Sequence, residues 1–592
     1  MLLACAAALA AAILIPALLL SQDDTLPKVP ADDTILRAMH DELLRSRQLA
    51  TAGGTEMPYY FNYGLSDTED LHVTASLGAT VNVSHNRFRV PDVEVRVGSY
   101  DFDNTGHVFS GYYTGSRFDR EWPLDDNYAN MREALWLATD LTYKAALESL
   151  SRKRASLNSA AAQTEPIPDF SKAMPVVRID KVTRKKLEDD VWSARAARIS
   201  SVFNGYPEVL ASAVEVQLIQ GTTYMVDSEG SVERYSDSIN WIYGKAEGQA
   251  PDGMAVHDAA TVQALDLDKL PSEADVRKSF AAVAENVKAL QKAPAETAYT
   301  GPVLFEPLAG AQLLAELIGD NLRFPRKPVT DPNRNVNFLP SEFENRLNAR
   351  VLPDWFDITD DPTQTTWNGK PLAGYYPFDL EGVAPKPVSL IEKGMLKNVL
   401  TTRQPVKGFP ASNGHARLPG NYGAHSAAIG NLFVKTSQST PLAQLKQKLI
   451  DMVKDRGRPY GMLVRKLDYP FSGSTGQLQA LAQAARQAGG SPMPVAPPLL
   501  MYRVYPDGRE ELVRGLQFRG VSTRTLRDIQ AASAESELFE FVNNATPLAM
   551  LGGGGYLAAT SVAAPGLLFE ELELEAPRDQ LPKPAIVPPP PR

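Results

Sequence analysis

Short runs of alternating apolar and polar residues constrain the fold of this chain most strongly. Residues 71–84, LHVTASLGATVNVS, and 93–102, VEVRVGSYDF, alternate or are rich in β-branched side chains, and the run SAVEVQLIQGTTYMVDSEG at 212–230 continues the pattern. A period of two buries one face of a strand and leaves the other to different contacts. These runs predict antiparallel strands joined by turns.

Other segments have the apolar spacing of helices. We predict helices over 31–50, 127–154, 272–290, 440–456 and 524–542. Ser272 and Asp275 predict a capping box, and Thr440 is predicted to cap the helix that Gly457 ends. No internal repeat is visible. Together the strands and helices predict an α+β fold dominated by antiparallel sheet.

Charge and cysteine content exclude several classes of partner and site. The 592 residues carry a formal net charge of −10, which offers no basic footprint for a phosphate backbone, so no nucleic-acid partner is expected. Cys5 is the one cysteine. An intramolecular disulfide and a thiolate zinc site in the folded region are therefore both excluded.

Cys5 lies in an uncharged apolar run, residues 2–20. About 20 apolar residues cross the hydrocarbon core of a membrane as a helix. Two interpretations stay open: a secretory signal peptide and an uncleaved N-terminal anchor. Both predict a periplasmic or otherwise extracytoplasmic protein that contacts the membrane only through this segment.

Composition also predicts where the chain divides. The predicted units are the export segment at 1–22, an N-terminal domain at 23–190, a central region at 191–300, a C-terminal domain at 301–578 and a disordered proline-rich tail at 579–592. Residues 155–190 are rich in Ala, Ser, Pro and Lys, which predicts a polar connection.

Few side chains offer catalytic or metal-binding chemistry. His415 and His425 are close in sequence, but the glycine-rich segment between them does not determine their geometry, and loop histidines that bond the backbone are the default interpretation. Asp379 and Glu381 in FDLEGV could act as acid and base or bind a cation. The segment DDPT at 360–363 is favourable turn chemistry. GGGG at 552–555 lacks the Lys-Ser or Lys-Thr of a phosphate-binding loop, which favours a sharp turn.

The order of these motifs is more specific than any one of them. GPVLFEPLAGAQLLAELIGDNL at 301–322 is followed by DDPT, by FDLEGVAPKPVSLIEKGMLKNVLTTR at 378–403, by SNGHARLPG at 412–420 and by a glycine-rich segment that ends in GLLFEELEL. This succession resembles the TldD/PmbA family of metallopeptidase-related proteins. VDSEG at 226–230 resembles that family's N-S-E-G turn, and the resemblance covers about residues 30–575.

The resemblance implies a site that has lost its zinc ligands. Active family members carry H-E-x-x-x-H on a helix and a cysteine ligand near the C-terminus. The matching positions here are Phe305, Glu306 and Gly310, and ATPLAMLGGGGYL at 545–557 contains no cysteine. No cofactor is therefore predicted, although the active relatives use zinc. Glu306 keeps the general-base position, and its alternative role is that of an acid in the first turn of a helix.

In this respect the chain resembles the PmbA side of the family, whose members pair with an active TldD-type chain. The resemblance implies a role in proteolysis of a peptide or unfolded protein, within a homodimer or a heterodimer. Two alternatives are an active hydrolase with a replaced metal site around His415 or His425, and a non-enzymatic peptide-binding or scaffold protein. We also predict that residues 303–320 line a cavity that Phe305 and Gly310 face.

Overall fold

The structure is a computed structural model. It describes residues 26–51, 56–108, 116–117, 122–159, 167–330, 336, 338, 340–420, 423–470, 472, 495–543 and 558–576. Three predictions lie outside the described residues: the export segment, the turn at 552–555 and the proline-rich tail. The segment expected to lack the cysteine ligand, 545–557, also lies outside them.

Six α-helices occur in the described residues: α1 (Thr34–Ser46), α2 (Tyr128–Ser159), α3 (Asp189–Ser200), α4 (Glu273–Lys292), α5 (Pro307–Gly319) and α6 (Leu442–Asp455). Short 3-10 turns lie at Arg47–Thr51, Ser201–Gly205, Leu267–Lys269, Asp320–Leu322 and Thr523–Asp528. Of the helices in the described ranges, none has both the length and the apolar content needed to cross a membrane.

The first strands in the chain are β1 (Pro58–Ser76), β2 (Ala79–Val97), β3 (His107–Val108), β4 (Ser116–Arg117), β5 (Val177–Ile179), β6 (Ala211–Asp227), β7 (Val232–Ser236), β8 (Ile239–Gln249) and β9 (Ala255–Ala264). They are followed by β10 (Ala298–Phe305), β11 (Val329–Thr330), β12 (Phe356–Asp360), β13 (Thr366–Trp367), β14 (Lys370–Pro371), β15 (Val388–Glu392), β16 (Met395–Leu396), β17 (Ala416–Pro419) and β18 (His425–Ala427). The last are β19 (Asn431–Thr436), β20 (Gly461–Leu467), β21 (Pro498–Val504), β22 (Glu510–Val513), β23 (Gln517–Arg519), β24 (Ile529–Asn543) and β25 (Ala558–Glu575).

The first sheet is built around the long hairpin of β1 and β2. Its two-residue turn places Leu77 and Gly78 at positive φ, 50° and 89°, as a turn that matches the twist of the strands requires. The strand order begins β4-β2-β1-β6. One half of β6 then pairs with β7, which pairs with β5. The other half of β6 pairs with β8, which pairs with β9. All of these contacts except β5 with β7 are antiparallel.

One face of this sheet is covered by helices. Phe61 and Tyr63 of β1 pack under α1 and α2, whereas Leu71 and Val73 of the same strand pack with residues of α3 and α4. These odd-numbered side chains share a face because strand side chains alternate. The even-numbered Tyr60 points to the opposite face and is also buried, against the second half of the chain.

The second sheet is centred on β25, which pairs with β19, β10, β23 and β24. Its main path is β16-β15-β12-β19-β25-β10-β20-β21-β22, and β23 and β24 pair with β25 off this path. Both sides of β10 are buried: Leu304 joins residues of α6, and Val303 and Phe305 join residues of α5. The α+β class with mainly antiparallel sheet is thus confirmed.

Several local predictions differ from the structure. The helix predicted at 524–542 is wrong, because this segment forms a 3-10 turn and then β24, paired along β25. Its Ala, Glu and Leu residues favour a helix locally, but strand pairing and the burial of alternating Phe539 and Phe541 override that preference. Thr440 is not the cap of α6, since Pro441 holds that position. The side chain of Glu535 instead accepts the Leu442 N–H (2.8 Å).

Other local predictions are confirmed or refined. Ser272 accepts the N–H of Asp275 at the start of α4. Helix α3 was not predicted. Within the segment predicted as a polar connection, residues up to Ser159 belong to α2, and Asp169 and Phe170 are buried rather than solvated. The predicted domain boundaries remain predictions.

Gly244 of β8 allows a test of how closely α4 packs on the first sheet. A Cβ at this position would lie 2.5 Å from the ring of Phe280, which is buried. We expect Gly244→Ala to lower the free energy of unfolding by about 1–3 kcal/mol, because the ring must shift in a close-packed core. Gly205→Ala is the control, since nothing lies within 4 Å of its Cβ position. Urea denaturation with equal losses in both variants would contradict this packing.

Candidate functional site

The unit β10–α5 places the residues that match the family motif. Strand β10 ends at Phe305, Glu306 is the N-cap residue of α5, and Pro307 opens the helix. Proline suits this position because its fixed φ is helical and its missing N–H is not needed there. The Gly310 N–H donates to the Glu306 carbonyl oxygen (2.8 Å), which closes the first turn.

Phe305 is packed on all sides by apolar groups. Its side chain has no exposed surface, and its ring lies 5.7 Å from that of Phe518 and 5.5 Å from that of Phe569, measured between centroids. Such aromatic clusters add to the free energy of burial. The prediction that Phe305 faces a cavity is therefore wrong.

Gly310 is sealed against the central strand. A Cβ at this position would overlap the carbonyl oxygen of Pro565 in β25 and crowd Gly566. A histidine at 310 could not be accommodated unless α5 moved away from β25. The predicted cavity facing Gly310 is wrong for the same reason, and nearly all residues of α5 are buried.

Glu306 lies at the edge of this core and makes an ion pair. Arg465 Nε lies 3.2 Å from Glu306 Oε1, and the same guanidinium donates to Glu510 Oε2 (2.5 Å). The guanidinium carbon also lies 4.3 Å from the ring centroid of Tyr502. The carboxylate therefore has a structural partner at the helix N-terminus, where negative charge is also favoured by the helix dipole. The general-base role of Glu306 stays a prediction.

The residues at positions 305, 306 and 310 do not fit a zinc ion. Zinc needs several lone-pair donors that converge on one point, and only Glu306 of the three has such a donor. Throughout the described ranges, no group of three or more His, Cys, Asp or Glu side chains is placed to hold a metal ion. We derive no catalytic step through zinc for this chain.

The second predicted cluster, around Asp379, Glu381 and the two histidines, is partly brought together. His425 Nδ1 lies 3.3 Å from Glu381 Oε1. His415 lies apart: the β17–β18 ladder pairs Ala416 with Ala427 and Pro419 with His425, so the two histidines are at opposite ends of it. His415 Nδ1 lies 3.1 Å from the backbone carbonyl oxygen of Asn413 and 2.9 Å from its Oδ1, which agrees with the default interpretation of a loop histidine that bonds the backbone.

The Asp379 carboxylate accepts hydrogen bonds from backbone N–H groups around its own turn. Its Oδ1 accepts the N–H groups of Glu381 and Val383 (2.9 Å each), and its Oδ2 accepts that of Ala416 (3.0 Å). Burial, and then the charge of Glu381, raise the pKa of Asp379 to about 7.

The turn predicted at 360–363 is also held by a carboxylate that bonds the backbone, because Asp361 accepts the Thr363 N–H (3.1 Å).

The buried Glu381 and the partly exposed His425, whose side chain is 21% exposed, form a charged pair. Burial alone would raise the pKa of Glu381, but the hydrogen bond and charge of His425 lower it below the usual value. For His425, burial lowers the pKa, whereas the hydrogen bond and charge of Glu381 raise it to about 9. His425 is therefore protonated at neutral pH and cannot accept a proton as a general base.

The other oxygen of Glu381 leads to a buried arginine that sequence analysis missed. Glu381 Oε2 accepts the N–H of Arg403 (2.5 Å), and the Arg403 side chain has no exposed surface. Its guanidinium donates to the carbonyl oxygen of Ser171 (2.9 Å), to Tyr60 Oη (3.1 Å) and to Glu229 Oε2 (2.7 Å). It also lies 3.9 Å from the ring centroid of Phe170.

A second arginine, Arg96, crosses the same boundary from the first sheet. It donates to Asp103 Oδ2 (2.8 Å) and to the carbonyl oxygen of Gly423 (3.2 Å), and it lies 3.6 Å from the Phe170 centroid. We call the residues Arg96, Phe170, Glu229, Glu381, Arg403 and His425 the seam cluster. Sequence analysis had named Glu381 and His425 as candidates, and the VDSEG turn contains Glu229, but no sequence signal singled out Arg96, Phe170 or Arg403.

Comparisons of sequence match part of the second half of the chain to known proteins. A family model described as the PmbA/TldA metallopeptidase C-terminal domain matches residues 298–486. A curated metalloprotease of Archaeoglobus fulgidus is 36% identical over 77 residues, which are 13% of this chain and 17% of that protein. The match therefore spans only a small part of the relative's length.

Solved structures extend the similarity of the fold to nearly the whole chain. TldE from Thermococcus kodakarensis has a TM-score of 0.56 at 12% identity, covering 91% of this chain and 100% of its own. A Thermotoga maritima protein described as a candidate modulator of a DNA gyrase has a TM-score of 0.54 at 14% identity, covering 90% and 100%. The match of residues 298–486 to the family model supports a TldD/PmbA-family protein, and the solved structures, at 12% and 14% identity, show that the fold is shared.

Proposed function

We propose that this chain acts in peptide proteolysis as a subunit without its own zinc site, and that a TldD-type partner supplies hydrolysis. The observation that carries the proposal is the replacement of both motif histidines by Phe305 and Gly310, which are sealed in the core. A phenyl ring and a hydrogen atom offer no lone pair to a metal, so the residues here cannot activate a water molecule in the manner of zinc peptidases.

The proposed complex is a heterodimer with such a partner, although a homodimer is compatible with the same chain. Its substrate is a peptide or an unfolded protein, and its location is extracytoplasmic, with the apolar run 2–20 acting as leader or anchor. Because α5 is sealed, peptide contacts fall to the partner or to other surfaces of this chain.

Two other functions compete with this proposal. A hydrolase that uses His425 is favoured by its contact with Glu381, but the oxygens of Asp379 and Glu381 already accept hydrogen bonds from the backbone or from His425. A non-enzymatic scaffold is favoured by the sealed helix. Copurification with a TldD-type chain that carries the intact motif separates the scaffold from the proposed subunit.

The proposed function is tested by reconstituting peptide cleavage. We expect no cleavage by this chain alone, substoichiometric zinc by elemental analysis, and cleavage when a TldD-type chain is added. Glu306→Gln should leave turnover of the mixture within about twofold, because its carboxylate has no metal-bound water to deprotonate. The matched control is the same substitution in the partner's H-E-x-x-x-H motif, which should abolish turnover. One zinc per isolated chain, or loss of activity in Glu306→Gln, would contradict the proposal.

The close packing of α5 at Gly310 is tested separately by measuring the free energy of unfolding. We expect Gly310→Ala to lower the free energy of unfolding by about 1–3 kcal/mol, because the Pro565 carbonyl belongs to a central strand and cannot move aside. Gly319→Ala in the same helix is the control, since its Cβ would meet only the flexible end of Ile429 at 3.2 Å. Equal unfolding midpoints in urea would show that the face of α5 at Gly310 is open.

The seam cluster predicts a pH dependence of stability. The pKa of His425 is raised from 6.5 to about 9, so its contribution is fully present below pH 6.5 and is lost as pH rises through 9. We expect the unfolding free energy to fall by up to about 1.4 kcal/mol per pH unit in this window. His425→Gln should flatten the curve. Identical curves for the wild type and His425→Gln, measured by urea denaturation between pH 6 and 10, would refute the charged pair.

A further inference from the structure

A small cavity lies outside both sites described above. It is bounded by Gly106, Lys153 and Asp169 from the first half of the chain and by Arg326, Lys327 and Gln404 from the second. Gly106 and Val329 connect the two halves directly, since the Val329 N–H donates to the Gly106 carbonyl oxygen (2.7 Å). We call this cavity the anion pocket, for the reasons that follow.

The side chains around the anion pocket carry an excess of positive charge. Three cations, Lys153, Arg326 and Lys327, face a single carboxylate, Asp169. The chain as a whole carries a net charge of −10, so this local excess runs against the overall balance. Cavities lined by one sign of charge concentrate ligands of the opposite sign.

The single carboxylate is already shared by two of the cations. Lys153 Nζ donates to Asp169 Oδ2 (2.5 Å) and to the carbonyl oxygens of Asp103 and Thr105 (3.0 and 2.7 Å). Arg326 donates to Asp169 Oδ1 (3.1 Å) and to the Pro168 carbonyl oxygen (2.6 Å). Lys327 is exposed and is not among the residues that Asp169 contacts in the described part of the chain. The positive charge of Lys327 is therefore available to a ligand.

The pKa of Lys153 is lowered mainly by burial and least by the neighbouring cation. Asp169 and Asp103 offset part of the effect of burial, while Arg326 lowers the pKa further. A bound anion would relieve the repulsion between the two cations. It would do so without displacing any of the hydrogen bonds that hold Lys153 and Arg326 in place.

The size and the remaining donors of the pocket select the ligand. The cavity volume is about 40 Å³, whereas about 10–15 Å³ on the same measure is enough to hold one water molecule. The pocket therefore has room for a small charged group. Gln404 Nε2 lies 4.0 Å from where a Cβ on Gly106 would be, so the amide adds a neutral donor at the wall. Gly106 has φ +69°, a conformation that favours glycine and keeps this wall free of a side chain.

We infer that the anion pocket binds one oxyanion group, a carboxylate or a phosphate, through Lys327 and Gln404. Arg326 and Lys153 add positive electrostatic potential from the wall of the pocket. The carboxylate could be the C-terminus of a peptide, and the phosphate a free inorganic ion. Binding here requires neither hydrolysis nor a partner subunit, so the inference goes beyond the proposed function and does not depend on it.

The test is titration calorimetry on the full chain at constant ionic strength, adjusted with chloride. The ligands are inorganic phosphate, N-acetyl-trialanine with a free carboxylate, and the same peptide as its C-terminal amide. We expect a Kd in the millimolar range for phosphate, for the free carboxylate or for both, and no binding of the amide. Phosphate alone identifies a free ion as the source, whereas the carboxylate peptide identifies a chain terminus, and either result supports the pocket.

Substitutions tie binding to the pocket. Lys327→Met should weaken binding about tenfold, as expected for loss of one charge-assisted hydrogen bond, and Gln404→Leu should weaken it less. Lys407→Met is the matched control, because Lys407 is exposed three residues beyond Gln404 and does not line the cavity. Unchanged unfolding midpoints establish that the variants are folded. Absence of binding by both phosphate and the carboxylate peptide, or equal weakening by Lys407→Met, would overturn the inference.

Discussion

The buried guanidinium of Arg403 is the contact on which the relation between the two sheets depends. It comes from the second half of the chain, yet its side-chain partners, Ser171, Tyr60 and Glu229, belong to the first. Burying a charge is costly unless it is paired and hydrogen-bonded, and here each donor group has a partner and the plane lies against Phe170. Because a misplaced partner would leave a buried charge unsatisfied, this arginine specifies one way for the halves to meet. Glu381 and His425 extend the same network.

The unit that resembles a metal site has become part of the hydrophobic core. In the β10–α5 unit the positions matched to the histidines contact aromatic rings and the backbone of β25, whereas the Glu306 carboxylate pairs with Arg465. Positions 305 and 310 are closely packed as well as free of ligand atoms, so introducing histidines there would not by itself create a metal site. The chemistry that remains in the molecule lies in the charged network at the seam cluster and in the anion pocket, both of which use residues from the two halves.

The sequence predictions succeeded for features that depend on residues close together in the chain and failed for features that depend on distant residues. The hairpin at Leu77–Gly78, the cap at Ser272 and the entry of α5 at Pro307 depend on residues a few positions apart, and the amino-acid pattern indicates them. Segment 529–543 has a helix-favouring composition and still forms β24, because its hydrogen-bond partners lie in β25. The cavity expected at Phe305 and Gly310 was wrong because Phe518, Phe569 and Pro565, which fill that space, are more than 200 residues away. No spacing rule places such distant residues.

The sequence by itself determined the resemblance to the TldD/PmbA family, the α+β class and the absence of ligand atoms at positions 305 and 310, since side-chain chemistry and motif order do not require coordinates. Only the tertiary structure decided that α5 is sealed, that His425 meets Glu381 while His415 does not, and that Arg403 and Arg96 join the two sheets. The physical reason is that burial and charge pairing depend on distances between residues far apart in the chain. Those distances are set by the packing of β25 and by the face of β1 opposite its helices, which local pattern does not encode.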